Sequence, residues 1–297
     1  MIGPTMLGTK RAGISLLAGI FCLAWFATSA ALAAVKPPPG SALVLAVHPY
    51  LPREEIVRRF TPLADYLARG IGRPVEIRVG RTYEEHVEAI GTDSVDIAYM
   101  GPGPYVKLVE KYGKKPLLAR QELAGSPFLT GYVFVRQESK IQSLADLKGK
   151  TVVFGDPDST MSVVPQHMLA QAGVPLSSLA NYKFIVGHRN VALAVLAGDF
   201  DAGAVKDEVF QMYAPRGLRF IAQTPKIADH LFVANAALPA DVVEKLRTLL
   251  MDLNNSPSGK AILTSIHPGM DRLVAPKDSD YDSLRAVLDD KNAVGQR

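Results

Sequence analysis

Three hydroxyl side chains lie close together in the middle of the sequence and could bind a small anion: Ser159, Thr160 and Ser162. The β-branched run Thr151–Phe154 just before them predicts a strand, which ends at Gly155. The apolar segment after them predicts a helix. Because Pro165 has no N–H group and belongs near a helix start, we expect this helix to begin no earlier than about Met161.

This arrangement would place the hydroxyls at the N-terminus of a helix, where the first backbone N–H groups have no partners within the helix. The partial positive charge there favours an oxyanion such as a phosphate group. The alternative is ordinary capping, because serine and threonine are common residues at helix starts. Taken alone, the segment favours capping, and the remaining residues must decide between the two interpretations.

The overall charge narrows the class of partner. The 297 residues include 33 Lys and Arg against 29 Asp and Glu, without a long basic run. A nucleic-acid-binding protein would carry a basic patch, so we expect no nucleic-acid partner. The length is sufficient for two lobes of ordinary domain size.

The first 33 residues have the features of a secretory signal peptide. Lys10 and Arg11 give a positive start, residues 14–28 are apolar, and Ala31–Ala33 matches the small-residue cleavage pattern. We expect cleavage after Ala33 and a linker over 34–41, with an uncleaved membrane anchor as the alternative. Cys22 lies within this segment. The exported chain would therefore have no cysteine, which excludes disulfides and thiolate metal ligands.

Strand-like and helix-like segments alternate from about residue 43 onwards, which predicts an α/β fold with mainly parallel sheets. Ligands of such sheets bind beyond the carboxyl ends of the strands. Polar residues recur at those predicted ends: Tyr99, Ser159, Thr160, His188, Asp207 and Glu208. We interpret this recurrence as a cleft, with His188 on a loop after its strand.

Several motifs in combination resemble the phosphate/phosphite/phosphonate-binding family of periplasmic ABC-transporter proteins. They are Pro62–Leu67, Ser94–Pro102, Ile141–Lys150, Gly155–Thr160, Gly187–His188 and Gly198–Gly203. The resemblance covers most of residues 43–255. It implies a two-lobed periplasmic binding protein of the second type, with the ligand captured between lobes that close about a hinge.

The resemblance also implies the domain boundaries. The first lobe would comprise 42–129 and 227–290, the second 130–226, and 291–297 would be a flexible tail. The chain would cross between the lobes at Gly125–Tyr132 and Gln223–Leu231.

Ligand-binding residues follow from the positions that match the family's contacts: Tyr83, Tyr132, Ser159, Thr160, Ser162, His188, Asp207, Glu208, Asp229 and His230. The two tyrosines would line the cleft, and Ser159, Thr160 and His188 would hold the anion oxygens. Asp207 or Glu208 matches an acidic residue that binds a ligand amino group in some members, and Asp229 or His230 lies near a second such position.

The turn departs from the family pattern, in which the serine and threonine are followed by serine and glycine. Here Met161 and Ser162 follow, and Pro165 comes one residue early. A bulky apolar side chain would then stand at the anion site, and no glycine would ease close backbone approach. A changed headgroup, a larger organic ligand and a weaker site all remain open.

We therefore expect a periplasmic solute-binding component of an ABC transporter, acting as a monomer and delivering a phosphonate, phosphite or phosphate to a membrane permease. One alternative keeps the fold and makes a membrane sensor kinase the partner. The other is an exported hydrolase using His188 with Ser159 or Asp207. No metal-binding spacing, nucleophile elbow or P-loop is present, so we expect no catalytic residue, metal or cofactor.

Overall fold

A computed structural model describes the backbone of residues 41–294 and the side chains of residues 41–289. The predicted signal peptide and nearly all of the predicted linker lie outside the described residues. So do residues 295–297.

The described residues form helices and strands in alternation. The helices are α1 (Arg53–Ile71), α2 (Tyr83–Gly91), α3 (Pro102–Tyr112), α4 (Thr160–Gln171), α5 (His188–Ala197), α6 (Asp207–Tyr213), α7 (Ala240–Asp252), α8 (Pro257–Ile266) and α9 (Asp282–Val294). The strands are β1 (Leu43–Val47), β2 (Val75–Val79), β3 (Ile97–Met100), β4 (Leu117–Leu123), β5 (Phe128–Leu129), β6 (Gly131–Arg136), β7 (Thr151–Phe154), β8 (Asn181–Phe184), β9 (Ala202–Lys206), β10 (Leu218–Gln223), β11 (Ile227–Ala228), β12 (Leu231–Ala234) and β13 (Met270–Val274). Helix α9 runs into the predicted tail, so residues 291–294 are helical.

Two mixed sheets organise these elements. The first has the order β13-β4-β12-β3-β1-β2, and the second has the order β10-β6-β9-β7-β8. Strand β1 pairs in parallel with β2 and β3, and β7 pairs in parallel with β8 and β9. The other pairs within these sheets are antiparallel. The expectation of mainly parallel sheets was therefore wrong in this detail, because β4, β6, β10, β12 and β13 bring in antiparallel neighbours.

The chain passes from the first sheet to the second after β4 and returns before β12. These two passages pair with each other as the short antiparallel strands β5 and β11. The Thr224 hydroxyl accepts a hydrogen bond from the Gly131 N–H at 2.9 Å, which ties the passages together where they meet the second sheet.

Helix α4 begins at Thr160, one residue earlier than predicted, and contains Pro165. Ser159 is the N-cap residue, and its hydroxyl accepts from the Met161 N–H. Proline at this depth removes one intrahelical hydrogen bond. The Ser159 cap and the burial of the first turn stabilise the start of this helix. The preference of proline for the start of a helix does not predict these contributions.

Helix α4 also shares an apolar cluster with elements that flank the first sheet. Met161 and Val164 pack with Tyr105 of α3 and with Tyr281 and Leu284 at the C-terminal end of the chain. Apolar packing therefore ties the helix that presents the hydroxyls to elements of the first sheet.

Candidate functional site

The start of α4 gathers buried polar groups at one point. Ser159, Thr160 and Ser162 are 5%, 4% and 0% exposed. The Thr160 hydroxyl accepts a hydrogen bond of 2.8 Å from the N–H of Gly103 on α3. The hydroxyl of Ser162 is buried without a hydrogen-bond partner among the described residues. Hydroxyl and backbone donors at a helix start provide a ready-made environment for an anion.

His188 joins this point from a neighbouring element. It is the first residue of α5, not part of a loop as expected, because Gly187 with φ of +85° turns the chain into the helix. Its buried Nδ1 has no partner among the described residues. Burial, reinforced by the electrostatic influence of the nearby Lys206 and His230 side chains, lowers the pKa of His188 to about 3. The ring is neutral at pH 7 and can offer one N–H to a ligand.

Aromatic and imidazole rings face these donors from the first sheet. His48 follows β1, and its ring centre lies 4.8 Å from that of Tyr50, 5.2 Å from that of Tyr83 and 5.2 Å from that of His230. Its Nδ1 lies 3.1 Å from the carbonyl oxygen of Tyr99. Burial and the neighbouring histidines lower the pKa of His48 well below its usual value.

Between the two groups lies a small space that we call the inner cavity, of about 20 Å³. Its walls are His48, Tyr50, Tyr83, Gly101, Pro104, Leu129, Ser159, Thr160, Met161, His188, Lys206 and His230. This volume is sufficient for about one water molecule. Entry of a phosphorus oxyanion would therefore require the walls to move apart.

A larger space, which we call the side chamber, adjoins the inner cavity and has a volume of about 540 Å³. The two spaces share Tyr50, Leu129, Lys206 and His230 as wall residues. The side chamber adds amide and hydroxyl groups from Gln121, Gln211, Gln223, Ser126 and Thr130. It could accept a polar substituent of an anion held in the inner cavity.

The predicted acidic residues line the side chamber, and each accepts a hydrogen bond from the protein. Glu208 Oε2 lies 2.8 Å from Lys206 Nζ and 2.9 Å from His267 Nε2. Asp229 is fully buried, and its Oδ1 accepts from the backbone N–H of His230 and lies 2.7 Å from Nδ1 of the same residue.

Asp207 Oδ1 accepts from the Gln211 amide at 3.0 Å. Burial alone would raise the pKa of Glu208, but the hydrogen bonds from His267 and Lys206 bring it below its ordinary value.

The structure brings most predicted site residues together in two groups. Tyr83, Ser159, Thr160, His188 and His230 line the inner cavity, and Ser162 is buried in the first turn of α4 without lining it. Asp207, Glu208, Asp229 and His230 line the side chamber.

Tyr132 does not line either space, although its hydroxyl lies near Asp207 and Gln211 of the side-chamber wall. Its ring packs against Phe210 and Phe220 at centroid distances of 4.6 and 5.1 Å, and it is absent from the walls of both spaces. Successive side chains on a strand face opposite sides. On β6, Tyr132 therefore shares the face of Phe134, which packs toward α6.

Three polar residues of the inner-cavity wall were missed from the sequence: His48, Tyr50 and Lys206. All three follow or end a strand, so the strand-end rule that selected Tyr99 could have selected them too. Tyr99 itself lines the side chamber and donates its hydroxyl proton to Gln121. Within the described residues, no group of three or more His, Cys, Asp or Glu side chains is arranged to hold a metal ion.

Residues 45–281 match the family model described as the periplasmic substrate-binding protein of phosphonate ABC transporters. The chain belongs to this family. The phosphate-import protein PhnD of Mycolicibacterium smegmatis is 29% identical over 273 residues, covering 83% of this chain and 85% of that protein. The phosphonates-binding periplasmic protein of Escherichia coli is 25% identical, covering 71% of this chain and 66% of that protein.

Among solved structures, PhnD1 of Prochlorococcus marinus in complex with methylphosphonate has a TM-score of 0.77 and 20% identity, covering 85% of this chain and 99% of that one. At that identity the likeness establishes the fold, a type II periplasmic binding protein. The family consists of solute-binding proteins rather than enzymes. Within residues 41–294, no helix has the length and apolar character needed to cross a bilayer.

Proposed function

We propose that this protein captures a small phosphorus oxyanion of the phosphonate, phosphite or phosphate class in the inner cavity and presents it to the permease of an ABC transporter. The observation that carries the proposal is the convergence of Ser159, Thr160 and His188 on one buried point at the start of α4. These groups donate hydrogen bonds without a full positive charge of their own, and burial strengthens each bond to an anion.

We further propose that residues 42–129 with 227–290 and residues 130–226 act as two lobes that close over the ligand, with β5 and β11 as the hinge. Contacts between the proposed lobes support this arrangement. Lys107 pairs with Asp158, and the Gly103 N–H donates to Thr160. Ligand contacts to both lobes would favour the closed form by the differential affinity they supply.

The family assignment favours a transporter permease over a sensor kinase as the membrane partner. A hydrolase would need its nucleophile within hydrogen-bond reach of its base. His188 Nδ1 has no such partner in the described part of the chain.

We also propose secretion through the signal peptide, with Ala34 as the first residue of the exported protein, and a monomeric state. N-terminal mass determination and light scattering of periplasmic protein test these two points.

Thermal-shift measurements test the binding function. The ligands are phosphate, phosphite, methylphosphonate and 2-aminoethylphosphonate, with sulfate and taurine as sulfur counterparts. A ligand that binds only the native state at a hundredfold excess over its Kd stabilises it by about 2.7 kcal/mol. We expect a clear shift with a phosphorus oxyanion.

We expect Ser159→Ala and His188→Ala to abolish that shift. Ser177→Ala, at an exposed position outside the cavity walls, is the matched control and should retain it. A shift that survives both cavity substitutions would place the ligand elsewhere. No shift with any phosphorus oxyanion would reject the proposed function.

A further inference from the structure

Lys206 occupies an unusual position between the two spaces of the site. It is the last residue of β9, and its side chain is 13% exposed. It lines both the inner cavity and the side chamber. Its Nζ also lies 5.2 Å from the centre of the Tyr50 ring. Any substituent that passes from the inner cavity into the side chamber therefore passes beside a buried ammonium group.

The carboxylate of Glu208 could neutralise a positively charged substituent of the ligand, but it already accepts hydrogen bonds from the protein. Glu208 Oε2 is held by Lys206 Nζ at 2.8 Å and by His267 Nε2 at 2.9 Å. His267 is 8% exposed and comes from the end of α8, so donors from two distant segments fix this carboxylate from both sides. A ligand ammonium could reach it only by displacing one of them.

The other acids of the side chamber are each engaged at one oxygen. Asp229 Oδ1 is used by His230, whereas its Oδ2 is buried without a hydrogen-bond partner among the described residues, and Asp207 Oδ1 accepts from Gln211. The remaining polar wall groups named above are uncharged amides and hydroxyls, together with Lys226 at the exposed rim. Asp207, Glu208 and Asp229 line the side chamber but not the inner cavity, and Asp229 is fully buried, whereas Lys206, paired with Glu208, lines both spaces and stands at the passage between them.

We infer that Lys206 determines ligand specificity: the site accepts oxyanions whose substituent carries no positive charge and discriminates against aminoalkyl phosphonates. The inference rests on the proposed function and narrows its substrate class. It departs from what the family resemblance implies for Asp207 and Glu208, because in this chain Lys206 and His267 take the place of a ligand amino group at Glu208.

A matched pair of ligands tests the inference in the full-length protein by isothermal titration calorimetry at pH 7. Propylphosphonate and 2-aminoethylphosphonate have the same shape and differ in a methyl against an ammonium group. The ammonium group of the second ligand would lie near the like charge of Lys206, and like charges a few ångströms apart repel each other. We therefore expect the wild type to bind 2-aminoethylphosphonate about tenfold to a hundredfold more weakly than propylphosphonate.

Substitutions assign the discrimination to Lys206. Lys206→Met should reduce the affinity ratio of the two ligands to about one or invert it, and Lys206→Gln should act in the same direction if the first variant folds poorly. Lys206→Arg keeps the charge and should preserve the ratio. Lys183→Met removes a lysine from the exposed strand β8 and is the control for general charge effects.

The outcomes separate the two proposals. Equal or tighter wild-type binding of 2-aminoethylphosphonate overturns the inference, most directly if Glu208→Gln then removes that preference. An unchanged ratio in Lys206→Met and Lys206→Gln also overturns it. If propylphosphonate, methylphosphonate, phosphite and phosphate all fail to bind, the proposed function itself fails, and the inference fails with it.

Discussion

The two walls of the inner cavity come from different sheets and differ in chemistry. The first-sheet wall consists of His48, Tyr50, Tyr83 and His230. The second-sheet wall consists of Ser159, Thr160, His188 and Lys206. The first supplies ring faces packed 4.8–5.2 Å apart around His48, whereas the second supplies hydroxyls, a helix start and a lysine.

This difference indicates a division of labour. The second-sheet wall can donate to anion oxygens, so it should determine affinity. The first-sheet wall excludes water and shapes the space, and burial disfavours the charged forms of Tyr50, Tyr83 and His48. Burial raises the pKa values of Tyr50 and Tyr83 and lowers that of His48. Substitutions of the same type should therefore have unequal effects on the two walls.

The largest effect on stability should come from Gly131→Ala, because Gly131 packs closely against Met161 and Val205 beside the second-sheet wall. A Cβ atom there would lie 2.2 Å from Met161 Sδ and 2.6 Å from the Val205 carbonyl oxygen. The sulfur could move, but the backbone oxygen of β9 could not do so without disturbing the strand. Overpacking of this kind costs about 1–3 kcal/mol or more, so Gly131→Ala should lower the free energy of unfolding by about 3 kcal/mol in urea denaturation.

Gly155→Ala is the control for this prediction. A Cβ atom at Gly155 would meet its nearest neighbours at 3.5 Å, which is ordinary contact distance. We expect a change below about 1 kcal/mol. Similar losses in both variants would show that the close approach of Gly131 to Met161 and Val205 is not what makes the position sensitive.

Matched hydroxyl deletions compare the walls directly. Thr160→Val removes a hydroxyl from the second-sheet wall and leaves the buried Gly103 N–H without its acceptor. Tyr83→Phe removes one from the first-sheet wall. With methylphosphonate or phosphate as the titrated ligand, we expect Thr160→Val to weaken binding about tenfold or more and Tyr83→Phe less than about threefold. Equal losses would contradict the division of labour.

The buried imidazoles behind the first-sheet wall should make stability depend on pH. Burial lowers the pKa of His86 to about 4, whereas an unfolded histidine binds its proton near pH 6.5. Between these values the unfolded chain binds more protons than the folded one, so stability falls as the pH falls. One such residue contributes at most about 1.4 kcal/mol per pH unit.

His86→Leu tests this dependence without removing a hydrogen bond, because neither ring nitrogen of His86 has a partner among the described residues. Denaturation from pH 7 to pH 4.5 should give a shallower loss of stability in the variant than in the wild type. Parallel curves would mean that His86 is protonated in the folded protein or plays no part in the loss.

The smallest effect on stability should come from removing the exposed ion pair between Arg189 and Glu55. Arg189 Nη1 lies 3.7 Å from Glu55 Oε2, and the arginine side chain is 41% exposed. Glu55 already pairs with Arg59 at 2.7 Å. Exposed pairs of this kind contribute little, so Arg189→Ala should change stability by less than about 0.5 kcal/mol in the same denaturation assay. A larger loss would show that this contact matters more for closure than its exposure indicates.

Local rules found Ser159, Thr160 and His188 of the second-sheet wall, but not Lys206, because the signals for these three residues each lie within a short segment. Ser159 and Thr160 follow a β-branched strand and start an apolar helix, which is visible within a short segment. The same rules placed His188 after its strand, although they missed that it starts α5. A helix cap and the end of a strand each depend on a few neighbouring residues. Both can therefore be predicted from a short segment of sequence.

Long-range features were not accessible in the same way. Glu208 and His267 are 59 residues apart, and no local pattern connects them. Tyr132 matched a family position but faces α6, because one residue of register on β6 decides which side of the sheet a side chain faces. The antiparallel strands likewise follow from the two passages between sheets rather than from the character of any segment.

The cluster of rings around His48 has an optical consequence. The only tryptophan in the sequence, Trp25, precedes Ala33, so the proposed cleavage would leave tyrosine as the principal near-ultraviolet chromophore. Of the ten tyrosines, Tyr50, Tyr83 and Tyr99 are buried beside the inner cavity or side chamber. Immobilised rings in an asymmetric setting dominate near-ultraviolet circular dichroism. The exported protein would therefore carry its own spectroscopic reporter of cavity occupancy.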